Sequence, residues 1–268
     1  MDPSILEKRS TTTVLPRTEE PIPPTILNYL HSIIAIPLIL LYTGIVGVLA
    51  LLFFLIDRNK SGKLHHRCAK IWARFVLATA GVKIDVHGLE NIQSGTSYVF
   101  ASSHQSWMDI PVMIAALPVQ LRIVAKKELF AIPGIGWHLR AAGHIAIDRS
   151  STTDAVTTLE QATAGIRDGL CAFIFPEGTR SFDGTLRKFK KGGFKLAMQS
   201  GVAVIPVAIV GTRRVMPRES LIIRARPVEI FIDKPVLTSN LSEEDLLPLI
   251  NSVHKTIGSH FPIHQFRS

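Results

Sequence analysis

Between Ile26 and Ile56 the chain carries no Asp, Glu, Lys or Arg. That run of 31 residues exceeds the ~20 that take a helix across a bilayer. A buried helix of a water-soluble core rarely continues so far without a charge. Two arrangements fit: one tilted span, or two shorter helices that dip into one leaflet. A break near Pro37 or at Gly44–Gly47 would give the second, because proline lacks an amide donor and can kink a helix. The whole chain is only 19% charged, below the ~25% usual for globular proteins, as expected if part of it sits in lipid.

The flanks of this segment give an orientation. The 25 residues before it hold three bases (Lys8, Arg9, Arg17) and four acids (Asp2, Glu7, Glu19, Glu20). Residues 57–74 hold six bases (Arg58, Lys60, Lys63, Arg67, Lys70, Arg74) against Asp57 alone. Basic flanks stay cytoplasmic, so the C-terminal part is expected on the cytoplasmic face, at the inner membrane in a bacterium. The cluster also suits anionic headgroups. Residues 1–25, rich in Pro, Thr, Glu and Ser, are expected to form a flexible tail. Residues 26–56 form the membrane segment, and residues 57–268 a cytoplasmic-facing domain. Cys68 and Cys171 are the only cysteines; two thiols without a CxxC spacing imply neither a disulfide framework nor a metal site.

Beyond residue 64, β-rich runs alternate with helical spacing. The runs are Val82–Val86, Tyr98–Ala101, Leu121–Val124, His144–Ile147, Ala172–Phe175, Ala203–Val210, Leu221–Ile223 and Val228–Ile232. Helices are expected over Leu64–Ala80, Ile110–Ala116, Gly134–Ala142, Thr153–Arg167, Gly193–Ser200 and Glu243–Ser259. Such alternation predicts an α/β domain, with a mixed, largely parallel sheet flanked by helices.

Four constellations carry chemistry. In Ser103-His-Gln-Ser-Trp-Met-Asp109, after an apolar strand, a neutral imidazole can take a proton from an alcohol while a carboxylate fixes its tautomer. Five residues is too far around an ideal helix for His104 and Asp109 to share a face. They meet only if His104 lies on the turn before a helix and Asp109 in its first turn. The spacing alone fits equally well with a histidine and an aspartate that merely cap the helix. In Phe175-Pro-Glu-Gly-Thr-Arg-Ser181, Glu177 can accept from hydroxyls and Arg180 offers a fork suited to phosphate; a tight turn with a surface ion pair fits as well. Arg187–Lys195 places five bases within nine residues, with Gly192–Gly193 able to bring backbone amides near an anion; a solvated basic loop is the plain alternative. Lys126, and Arg149 at the end of Ile145-Ala-Ile-Asp-Arg149, could converge on one phosphate, or Asp148–Arg149 could be a local surface pair.

The net charge of +9 suits a membrane surface, a phosphorylated substrate or nucleic acid. Nucleic acid is disfavoured: only Phe189 and Phe194 interleave with the bases, and there is no helix-turn-helix or zinc pattern. A hydrolase would need a GxSxG elbow, which the sequence lacks.

Together the blocks resemble the glycerolipid acyltransferases with the HxxxxD signature, and most nearly their 1-acylglycerol-3-phosphate acyltransferase branch. The likeness covers residues 82–210 in four ordered blocks: His104–Asp109; Lys126–Gly136 with Ile147–Arg149; Phe175–Ser181; and Val204–Ala208. It implies that His104 is the general base and Asp109 its orienting partner. It further implies that Glu177 holds the acceptor's glycerol portion and that Gly178 shapes the turn carrying Thr179. Arg149, Arg180 and Lys126 would bind the acceptor phosphate, and Ile205 and Pro206 would line the acyl-donor side. Such enzymes acylate lysophosphatidic acid to phosphatidic acid with acyl-CoA or an acyl carrier protein thioester, using no metal or cofactor. Ser103 stands where many members have Asn. Gln105 favours the lysophosphatidate branch over the glycerol-3-phosphate branch. Lyso-ornithine lipids and other lysophospholipids remain alternative acceptors, and a non-catalytic tether for anionic lipid remains the alternative outside enzymes.

Overall fold

A computed structural model describes residues 23–56, 62–147, 166 and 170–261. The tail up to residue 22, the expected helix over Thr153–Arg167 save Ile166, and Arg149 lie outside the described residues.

Helix α1, Ile26–Ile56, is a single helix that runs through Pro37. Thr25 and Asn28 start it reciprocally: the Asn28 amide donates to Thr25 Oγ1 and the Thr25 amide to Asn28 Oδ1. Only 11% of its most apolar stretch is buried, unlike the mostly buried core helix of a water-soluble fold. One stripe binds the domain. Tyr42 stacks on Phe75 of α2 (Lys63–Thr79), with ring centroids 3.8 Å apart. Trp72 Nε1 donates to Thr43 Oγ1 (2.9 Å), and His31 Nε2 meets the Thr79 carbonyl (2.8 Å). Because His31 faces the end of α2 and Thr43 its middle, the two helices run antiparallel. The opposite stripe exposes Leu27, Leu30, Ile33, Ile34, Leu41 and Val48, an apolar surface suited to lipid.

The seven strands are β1 (Ile84–His87), β2 (Val99–Ser102), β3 (Leu121–Lys126), β4 (Ile145–Ile147), β5 (Cys171–Ile174), β6 (Val204–Val210) and β7 (Val228–Ile232), ordered β1-β7-β6-β2-β5-β3-β4. Strands β6, β2, β5, β3 and β4 are parallel; β7 pairs antiparallel with β6, and β1 parallel with β7. The centre of the sheet is covered on both faces. Ile205, Val207 and Ile209 of β6 join Phe100, Phe173 and Met113 on the α2 side. Val204, Ala208 and Val210 join Phe194 and Leu196 of α6 (Gly192–Ser200), with Val253 and Ile257 of the C-terminal helix α8 (Leu246–Gly258), on the other. Double burial is why β6 reads as one unbroken apolar run. The remaining helices are α3 (Asp109–Ala116), α4 (Lys127–Ala131), α5 (Ile135–Ala141) and the single turn α7 (Thr212–Val215).

Leu221–Ile223 is not a strand. Its neighbours take its amides out of reach of the sheet: Ile223 N–H donates to Ser32 Oγ of α1 (2.8 Å) and Arg224 N–H to the Val215 carbonyl (2.9 Å). Only Ile223 is buried there, against α1, while Leu221 stays 66% exposed, so the β-rich composition marks no strand.

Candidate active site

The site lies past the carboxyl ends of the central parallel strands, where open α/β sheets place ligands. Strand β2 is prolonged by Ser103, whose Oγ accepts the Ile209 amide (3.1 Å) from β6. His104 follows with its backbone held at both polar groups. Its N–H donates to Glu177 Oε1 (2.7 Å), and its carbonyl accepts from Ser181 N–H (2.8 Å). The imidazole stacks on Phe175, centroids 3.7 Å apart and planes 15° off parallel. Backbone and ring are therefore both fixed before any substrate arrives.

Asp109 opens α3, in the first turn as the spacing requires. Its Oδ2 lies 2.8 Å from His104 Nδ1 and also accepts the amides of Gln105 (2.7 Å) and Ser106 (2.9 Å). Two main-chain donors on that oxygen mark it as an acceptor, so Nδ1 carries the proton and Nε2 keeps its lone pair. The carboxylate is fully buried, whereas the imidazole retains 16% of its surface. A base oriented in this way can take a proton at Nε2 and hold the resulting charge against Asp109.

Glu177 belongs to the tight turn after β5, closed by Gly178 N–H to the Phe175 carbonyl (3.0 Å). Gly178 has φ 75°, a left-handed conformation that a side chain strains. Both Glu177 oxygens serve main-chain amides: Oε1 that of His104, Oε2 that of Arg187 (3.0 Å). Burial pushes its carboxyl up to about 8, against those two amides, which pull it down. The side chain thus ties three loops together. Thr179, half-buried, links this turn to Arg180.

Arg180 lies over the Trp107 ring, 3.8 Å from its centroid. Its Nη1 is buried and meets no hydrogen-bond partner among the described residues. Burial and then the nearby Arg218 charge lower its basicity, while Asp109 is near enough to oppose them. Arg218 Nη1 donates to the Arg180 carbonyl (2.9 Å). The result is a guanidinium held by an aromatic face, with donor capacity left over, beside the imidazole pair.

The other expected site residues stand apart. Lys126 ends β3, two strands from β2, and pairs with Glu128 (2.9 Å) in an exposed position. Ile205 and Pro206 lie within β6, opposite Phe100 and Ala101, and both are buried; Ile205 has no exposed surface at all. Arg149 is outside the described residues. Phe175 as the stacking partner, Trp107 beneath Arg180 and Arg218 behind it were not singled out from sequence. Trp107, one residue inside the His–Asp motif, is the one that the motif itself pointed to.

Comparison with known proteins agrees with this geometry. A family model described as Acyltransferase matches residues 83–210. The chloroplastic 1-acyl-sn-glycerol-3-phosphate acyltransferase of Brassica napus is 37% identical over 187 residues, 69% of this chain and 54% of that one. The chain spans about half the length of such chloroplastic relatives. The 1-acyl-sn-glycerol-3-phosphate acyltransferase of Saccharomyces cerevisiae is 30% identical over 225 residues, 82% of this chain and 73% of its own. Among solved structures, the 1-acyl-sn-glycerophosphate acyltransferase of Thermotoga maritima superposes with a TM-score of 0.74 at 28% identity, over 87% of this chain and 94% of that one. The chain belongs to the 1-acyl-sn-glycerol-3-phosphate acyltransferase family.

Proposed function

We propose that the chain transfers an acyl group from an acyl thioester, acyl-CoA or acyl carrier protein, to the sn-2 hydroxyl of 1-acyl-sn-glycerol-3-phosphate, giving phosphatidic acid for phospholipid synthesis. The observation that carries this reading is the 2.8 Å His104–Asp109 pair, with Nε2 unengaged and an Arg180 donor unused among the described residues. His104 Nε2 takes the acceptor's hydroxyl proton as its oxygen attacks the thioester carbonyl. The tetrahedral intermediate collapses, the C–S bond breaks, and the imidazolium returns the proton to the leaving thiolate. Asp109 stabilises the imidazolium in between. Arg180 binds the acceptor phosphate, and the family resemblance adds Lys126 and Arg149 as further cations for it. Ile205 and Pro206 support the donor side from within β6. The transfer as written uses no metal or prosthetic group, since the thioester is already activated.

The exposed apolar stripe of α1 supports attachment to a membrane. The bases of α2 support a cytoplasmic-facing orientation of the domain. A catalytic domain docked along the anchor meets a lipid acceptor at the interface without extracting it from the bilayer.

The test offers purified protein in detergent one acyl-thioester and a panel of acceptors: lysophosphatidic acid, glycerol-3-phosphate, lyso-ornithine lipid and a zwitterionic lysophospholipid. Release of free thiol is followed for each. Fastest turnover with lysophosphatidic acid is expected. Preference for another acceptor would reassign the substrate, and no release with any would reject the enzyme reading in favour of a lipid-binding tether.

A further inference from the structure

At the edge of the sheet farthest from β4, three metal-ligating side chains converge. Asp85 and His87 alternate along β1 and so share a face, and Glu229 lies directly opposite Asp85 on β7. Their ligand atoms all lie within 4.8 Å of one another. His87 Nε2 is 3.6 Å from Asp85 Oδ2 and 3.8 Å from Glu229 Oε1. These spacings are too long for hydrogen bonds, but within a few tenths of an ångström of the roughly 3.4 Å edge between tetrahedral ligands at ~2.1 Å from a metal.

Two further observations point to a cation. His87 Nε2 is shielded from solvent yet has no hydrogen-bond partner among the described residues. Asp85 and Glu229 set like charges directly across two paired strands, an arrangement that destabilises a sheet. No lysine or arginine forms a described ion pair with either, and Lys83, two residues before Asp85, enters none. The imidazole plane is fixed by stacking: His87 on Phe231 (4.8 Å, 14°), and Phe231 on His260 (4.3 Å, 15°), whose Nε2 contacts Asp233. Glu229 pairs in register with Val210, which packs on the α6/α8 side, while Ala35 of α1 packs on the other. The trio therefore faces water on the side of the sheet away from the anchor.

We infer that Asp85, His87 and Glu229 form a binding site for one first-row divalent transition metal, of which zinc is the representative. One imidazole nitrogen and two carboxylate oxygens suit such an ion, whereas magnesium and calcium favour oxygen alone. Three protein ligands leave positions for water. The site crosslinks β1, held in the sheet by β7 alone, to its neighbour. It is separate from His104: β6 and β7 lie between β1 and β2.

The full chain, purified in detergent without a histidine tag and stripped with chelator, is titrated with ZnCl2 and then with CoCl2, bound metal being measured by equilibrium dialysis. One equivalent per chain with a micromolar Kd is expected, and a His254→Gln control should match it. His87→Phe keeps the stack on Phe231 but removes the nitrogen, and Asp85→Asn changes a mostly exposed side chain; each should weaken binding at least tenfold. Thermal unfolding of the wild type should shift upward with zinc, and of Asp85→Asn should not. Undiminished binding in Asp85→Asn, or no saturable equivalent below millimolar zinc, would overturn the site. Displacement of cobalt by a hundredfold excess of magnesium would overturn its assignment to a transition metal.

Discussion

His104 Nδ1 and Asp109 Oδ2 stand 2.8 Å apart because one lies on the turn that leaves β2 and the other opens α3. The contact sets which ring nitrogen holds the proton. Asp109→Asn keeps the size of the side chain but can offer an amide to Nδ1, which favours the tautomer with the proton on Nε2. A fall in kcat of about 10³–10⁴-fold is expected with little change in acceptor KM. Steady-state kinetics on the refolded-state-checked variant decides this: a fall below tenfold would remove Asp109 from the mechanism.

The phosphate role given to Arg180 predicts a split between substrates. Arg180→Ala should raise the acceptor KM at least tenfold and leave the thioester KM near its original value. Arg180→Lys should recover little, since a lysine lacks the planar fork and stacks poorly on Trp107. Equal effects on both KM values would place Arg180 elsewhere in the reaction.

Glu177 supplies acceptors to the amides of His104 and Arg187. Glu177→Gln keeps one acceptor and turns an NH2 toward the other amide. A stability loss of about 1–3 kcal/mol is expected, together with reduced kcat as the His104 backbone loosens. Denaturant unfolding and acceptor kinetics separate this from a direct substrate contact, which would raise KM at unchanged stability.

Acid should destabilise the domain through His144. Burial, and then the Arg122 charge, push its imidazole down to about 3, from 6.5 in the unfolded chain. The unfolded state therefore binds the proton first. Stability from this group is full above pH 6.5 and is lost as pH falls toward 3. His66, lowered to about 4 mainly by burial, acts in the same direction. Melting temperature should fall from pH 7 to pH 4.5. His144→Asn, which can still accept the Ile123 amide now bonded to Nδ1 (3.1 Å), should flatten that slope; an unchanged slope would assign acid sensitivity to other groups.

Much of the fold was legible because burial on two faces writes itself as unbroken apolar runs, as in Val204–Val210, and because an uncharged run like Ile26–Ile56 has few homes. Strand direction was not: nothing in Ile84–His87 or Val228–Ile232 says that these two run against the other five. Leu221–Ile223 misled because three β-favouring residues in a row need not pair: the Ile222 amide goes to Ser220 Oγ and the Ile223 amide to Ser32 Oγ instead of a strand. At the site, helix periodicity stated only the condition under which His104 and Asp109 could meet, with His104 on the turn and Asp109 in the first helical turn, and left plain helix capping equally open. The inward aim of Glu177 was not legible, since a Pro-Glu-Gly turn can point its carboxylate either way and only the amides of His104 and Arg187 decide. Arg218 reaches the site from a distant loop, a relationship no local pattern carries.

The central claim is that the His104 imidazole is the base. The most direct measurement is the turnover of His104→Ala with lysophosphatidic acid and an acyl-thioester, alongside its melting temperature. A loss of at least about 10³-fold in kcat is expected, with cooperative unfolding retained and acceptor binding preserved. Near-normal turnover by that folded variant would contradict the account.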